Sequence, residues 1–155
     1  MSSYRRRPIK NGGKVEVKYL GKLLNESYKK RGDTNANIDD RYLLDTELST
    51  DKTKVYIDKN TGEIAMVNRG TSDIKDVMTD EKLLMGFKDK NRFGEARDVL
   101  NKVKNKYTDK NIDILGHSLG ATVAEDLGTD ERVKNVITLN KPTTPKDLIT
   151  NRKAV

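Results

Sequence analysis

Residues 112–121 read Ile112-Asp113-Ile114-Leu115-Gly116-His117-Ser118-Leu119-Gly120-Ala121. A short apolar, β-branched run stops at Gly116. Ser118 then sits between two glycines, and Ala121, Val123, Ala124 and Leu127 continue at spacings that suit a helix. This is a G-x-S-x-G pattern set between a strand and a helix. The glycines let the backbone turn sharply without a side-chain clash. Such a turn lifts the Ser118 hydroxyl to the top of a sheet, where a substrate carbonyl can reach it.

Working outward, Ala96, Val99, Leu100, Val103 and Tyr107 recur at i, i+3, i+4, i+7 and i+11, which predicts an amphipathic helix over about 92–107. Before it, Val55-Tyr56-Ile57 and Ile64-Ala65-Met66-Val67 flank Asp58-Lys59-Asn60-Thr61-Gly62, the pattern of a β-hairpin. After the serine turn, Val133 to Leu139 reads as another buried strand. Strand, helix, strand, helix, strand predicts an α/β fold: a mixed sheet with parallel strands, flanked by helices, with the nucleophile elbow at 116–120. Nearer the N-terminus, Tyr19, Leu20, Leu23, Leu24 and Tyr28 predict one helix to about Lys30. Val15 and Val17 alternate with charges, as in a short edge strand. Residues 33–53 read as polar and irregular, anchored by Tyr42-Leu43-Leu44.

Composition narrows the chemistry. The 155 residues suit one domain, with 34% hydrophobic and 35% charged residues. Cysteine is absent and there is one histidine, which excludes disulfides, thiolate metal sites, cysteine nucleophiles and a histidine-rich metal site. No metal and no cofactor is expected. No apolar run approaches the roughly 20 residues of a membrane span, and the basic N-terminus has no apolar segment behind it. Without signal peptide or membrane segment, the expected setting is a reducing compartment or a virus particle. Residues 1–31 hold ten Lys/Arg against two Glu, +8, while residues 32–155 hold twenty-one against twenty-two acids, −1. Residues 1–13, with Arg5-Arg6-Arg7, Pro8 and Gly12-Gly13, therefore read as a basic flexible arm on a single body, 14–155. Such an arm suits a polyanion or an acidic protein surface, or serves only as a solvated tail.

A serine nucleophile needs a raised hydroxyl, amide donors for the oxyanion, and a base held by an acid. The Leu119 amide, directly after the serine, is the first oxyanion donor; the turn after the second hairpin strand is the candidate for the second, through Thr71. Here the residues become recognisable. Arg69-Gly70-Thr71-Ser72-Asp73 with Asp80, then Gly86-Phe87, then Gly116-His117-Ser118-Leu119-Gly120-Ala121 resemble the class 3 (fungal-type) lipase family of α/β-hydrolases. The resemblance runs over about 54–142, ending at Asn140-Lys141-Pro142. It implies Ser118 as nucleophile, Thr71 and Leu119 as oxyanion donors, and Arg69, Gly70, Asp80, Gly116, His117 and Gly120 as residues that shape the motif. The substrate it implies is a lipid or other carboxylic ester.

The departures fall where chemistry is decided. In α/β-hydrolases an acid and then a histidine follow the serine, yet the one histidine here, His117, immediately precedes it. Neighbouring residues in the turn project differently, so His117 reads as a packing or hydrogen-bonding residue rather than the base. Asp126, Asp130 and Asp147 follow Ser118 with no imidazole to orient, and Lys141 reads as a solvated surface lysine. Asp39, Asp40 and Asp45 match no calcium loop, and Lys102, Lys104, Lys106 and Lys110 suit the polar side and end of a helix. The expectation is a lipase-like domain, C-terminally shortened and lacking the catalytic histidine. Such a domain is expected to be inactive and reused as a structural component among other protein subunits, such as a minor protein of a virus particle; the lysine- and asparagine-rich composition suits an AT-rich genome. The alternatives are an active lipase or esterase whose base comes from another chain, and a polyanion binder acting through Arg5, Arg6 and Arg7. A shortened sheet would also leave an exposed edge, to be covered by a partner or by the N-terminal segment.

Overall fold

A computed structural model describes residues 2–6, 15–70, 90–117 and 120–139. Seven strands form one sheet in the order β1-β7-β6-β5-β4-β3-β2. They are β1 (Ser2–Arg6), β2 (Asn37–Ile38), β3 (Tyr42–Leu44), β4 (Thr53–Asp58), β5 (Ile64–Asn68), β6 (Ile112–His117) and β7 (Val133–Leu139). Among the described residues the α-helices are α1 (Val17–Ser27), α2 (Lys90–Lys106) and α3 (Gly120–Leu127).

The sheet changes character at its centre. β2, β3, β4 and β5 are antiparallel neighbours, whereas β5, β6 and β7 are parallel. Parallel neighbours need crossover helices, and α2 and α3 supply them. Two right-handed crossovers stepping the same way along a sheet place their helices on one face. That face holds Ala96, Val99, Leu100 and Val103 of α2 and Val123, Ala124 and Leu127 of α3, against Val55, Ile64, Met66, Ile112, Ile114 and Val136. On the other face, Tyr19, Leu23 and Leu24 of α1 pack on Tyr42, Tyr56, Ala65, Val67, Leu115 and Ile137. Successive residues of β5 alternate between the two clusters, so the strand is buried throughout and apolar nearly throughout.

The hairpin, both later strands and the three helices lie where the pattern places them, within two or three residues at the ends. The differences are local. Val15 and Val17 do not form a strand: the Val15 amide donates to the buried Asp113 carboxylate (3.0 Å), and Val17 opens α1. The polar stretch 33–53 is more regular than its composition implies. Its short strands β2 and β3 extend the sheet because the Leu44 amide bonds to Ala36 O and the Asp45 amide to Val55 O (2.8 Å each). Residues 2–6 of the basic arm form β1, antiparallel to β7 in the register Ser2↔Leu139 to Arg6↔Asn135. The parallel side of the sheet is thus edged by the chain's own N-terminal segment.

Lys54 shows how α1 is held. Its side chain is fully buried on β4. The ammonium donates to Ser27 O (3.1 Å) and to the carbonyls of Lys29 and Asp51. One buried cation thereby occupies carbonyls at the C-terminal end of α1, which the helix cannot satisfy itself.

Candidate functional site

The elbow is built by close approach of backbones. A Cβ on Gly116 would fall 2.7 Å from Ala121 Cα, and one on Gly120 would fall 2.9 Å from the carbonyl carbons of both Asn68 and Arg69. These are backbone atoms at the end of β5 and the start of α3, with no flexible side chain to move aside. The two glycines of the motif therefore seat α3 against β6 and against the end of β5. Gly70 is buried in the same corner.

Asn68 fixes that corner. It is fully buried, and in the parallel register it lies beside Gly116. Its side-chain amide donates to Leu115 O (3.2 Å) and its oxygen accepts from the Thr53 hydroxyl (3.1 Å), tying β4, β5 and β6 together. The Arg69 amide donates to Lys52 O (2.9 Å), which carries the β4–β5 pairing one residue further, up to Gly70. The turn 69–70 and the elbow strand thus come together, as the spacing of the two motifs implies.

His117 ends β6 half-buried. Tyr28, the C-cap of α1, brings its hydroxyl 2.6 Å from His117 Nδ1, with the rings edge to face at 5.7 Å. The same hydroxyl accepts a hydrogen bond from the Gly70 amide. The hydroxyl has a proton and a second lone pair beside the one Gly70 fills, so it bonds Nδ1 in either imidazole tautomer. Burial pushes the His117 pKa below its ordinary value, in keeping with a neutral ring. Burial also raises the Tyr28 pKa against the opposing effects of the Gly70 amide and the Arg69 charge, so the phenol keeps its proton.

Of the expected site residues, Arg69, Gly70, Gly116, His117 and Gly120 are brought into one corner at the ends of β5 and β6. Ser118, Leu119, Thr71 and Asp80 lie outside the described residues, as do Lys141 and Asp147. Asp126 pairs with Arg97, and Asp130 with Lys104 (2.7 Å), both on the helical face. The acidic residues 39, 40 and 45 each meet a cation: Asp39 meets Lys22, Asp40 meets Lys59 (2.8 Å), and Asp45 meets Lys106 (2.8 Å). Among the described residues no group of His, Asp or Glu side chains could hold a metal ion.

Two residues of the corner carry no site role in the sequence reading. Tyr28 counts there only as an apolar position of α1, since periodicity registers its ring and not its hydroxyl. Asn68 has a visible signal, a polar residue closing an apolar strand just before Arg69-Gly70-Thr71.

No family model matches the chain, and no curated protein does. Among solved structures it is similar to the Lip2 lipase from Yarrowia lipolytica, at 19% identity and a TM-score of 0.46, over 72% of this chain and 53% of that one. The chain thus spans about half the length of that lipase, and the likeness is one of fold.

Proposed function

We propose that this chain is a lipase-like scaffold that does not hydrolyse esters by itself and serves as a structural subunit of a larger protein assembly, of which a virus particle is one kind. The observation that carries the first half is the commitment of His117. It is the one imidazole in these 155 residues, and its Nδ1 is hydrogen-bonded to the Tyr28 hydroxyl at 2.6 Å. To serve as a base it would have to turn a nitrogen back onto the residue that follows it in the chain. General-base catalysis requires the acceptor nitrogen within hydrogen-bond reach of the proton it removes. The second half is supported by the basic strand along one sheet edge, in a chain whose residues 32–155 have nearly zero net charge.

The test is labelling of the full chain by a fluorophosphonate probe, with Ser118→Ala as control. The expected result is no labelling in a folded sample. Labelling at Ser118 alone overturns the proposal; a second reading, an esterase whose base another chain supplies, predicts labelling at Ser118 only when that chain is present. That reading is supported by the steric tightness of the elbow and by the buried Gly70 beside it, both of which a working site needs.

A further inference from the structure

We propose that the outer edge of β7 is an assembly surface, and that its occupant in an oligomer is β1 of a second copy of this chain. β1 runs along β7 through five paired residues, and its extensive contacts are with that strand alone. Its sequence, Ser-Ser-Tyr-Arg-Arg, contains one aromatic and no aliphatic residue, and its pairing is a five-residue backbone ladder. Each hydrogen bond of such a ladder contributes only about 0.5–1.5 kcal/mol net. β7, in contrast, carries Val133, Asn135, Val136, Ile137 and Thr138 at 4% exposure or less. A buried, mostly apolar strand left without a neighbour is an open template for another strand. The edge needs an occupant more than it needs one from its own chain.

The connection permits the exchange. Residues 7–14 join β1 to Val15, which is buried and held by the Asp113 carboxylate. Arg6 pairs with Asn135, and Asn135 lies beside Asp113 in the next register. The connection therefore crosses two strand spacings, about 10 Å, whereas eight extended residues reach about 26–29 Å. That slack lets the same strand, in the same register, lie on the β7 edge of an adjacent copy. Nothing new has to be made, because the exchanged interface repeats the closed one.

The register supplies the test, and the lack of cysteine makes it clean. In Ser3→Cys/Thr138→Cys the two thiols face each other across the β1–β7 ladder. Oxidation is carried out as the protein concentration is raised toward about 1 mM, comparable to the effective concentration a short linker gives its own strand. The expected product is a covalent dimer of twice the chain mass, reversed by reductant. An internal bridge alone, at every concentration, overturns the inference. A second measurement uses the chain without cysteines. Its mass by light scattering at that concentration is expected to halve on Tyr4→Pro, since proline cannot sit in the ladder. A mass unchanged by Tyr4→Pro overturns it as well. Neither readout depends on Ser118, so the failure of this inference and that of the catalytic reading are separable.

Discussion

Gly120→Ala is the sharpest perturbation of the elbow. The added methyl lies 2.9 Å from two backbone carbonyl carbons of Asn68 and Arg69, and closer still to Asn68 O. Ordinary carbon contacts begin near 3.5 Å, so α3 or the end of β5 must shift by more than half an ångström. Forcing a methyl into a packed site costs about 1–3 kcal/mol, and rigid backbone walls place this substitution in the upper half, about 2–3. In a domain of this size each kcal/mol moves the melting temperature by about 2–4 °C, so a fall of about 4–12 °C is expected. Gly94 in α2 is the matched control, being exposed with nothing within 4 Å of a Cβ. Alanine there removes the helix penalty of glycine and is expected to raise stability by about 0.5–1 kcal/mol. Both are read by thermal melts followed by circular dichroism. Gly116→Ala presses on the same turn, so the double variant is expected to cost less than the two single costs added. A melting temperature for Gly120→Ala within about 1 °C of the parent chain refutes the close approach, and with it the account of why the motif needs this glycine.

Lys54→Met strips three carbonyls of their buried donor and is expected to cost about 3 kcal/mol, read as a lower urea midpoint at unchanged slope. Burial alone would raise the Asp45 pKa, but hydrogen bonds from Lys106, Tyr107 and the Leu48 amide outweigh it and hold the carboxylate below its ordinary value. Its stabilisation is therefore full above the unfolded value of about 3.9 and lost as pH falls through the folded one; Asp45→Asn is expected to lower the melting temperature at pH 7, and to do so less and less as pH falls through the folded pKa. His117 gives the only imidazole signals in the NMR spectrum, and they are expected to titrate below the ordinary value of about 6.5. Its depressed pKa makes stability fall as pH drops from about 6.5 toward the folded value.

How far the fold was legible follows from what each pattern measures. Periodicity reports burial, so α2, α3 and the parallel strands, whose faces are buried against several neighbours, were visible nearly residue by residue. β1, β2 and β3 were not, because edge strands gain from backbone pairing that leaves little mark on side-chain pattern. Ser2–Arg6 in particular reads as a solvated tail by composition, and its pairing is decided by an edge more than a hundred residues away. In the site, the glycines and the Arg69-Gly70 turn announced themselves through spacing. Tyr28 did not, since its part depends on where the end of α1 meets β5 and β6. Lys54 was likewise unreadable: no local signal says that a lysine within an apolar strand is the donor for a helix end.

The glycine pattern around Ser118 reports packing before it reports chemistry. Gly116 and Gly120 are required by the distance at which β6, α3 and the end of β5 meet, whatever the residue between them does. Substituting either glycine is costly even in a chain that never cleaves an ester. The motif is therefore strong support for the elbow and weak support for hydrolysis. The second question turns on a nitrogen able to take the serine's proton. In this chain the one candidate imidazole is desolvated and has its Nδ1 bound to a tyrosine, and that tyrosine also receives the Gly70 amide from the neighbouring turn. Tyr28 thus links the two halves of what would be a catalytic corner through His117, using the ring as a fastening. A histidine fixed in that way ties the end of β6 to the end of α1 and to the neighbouring turn.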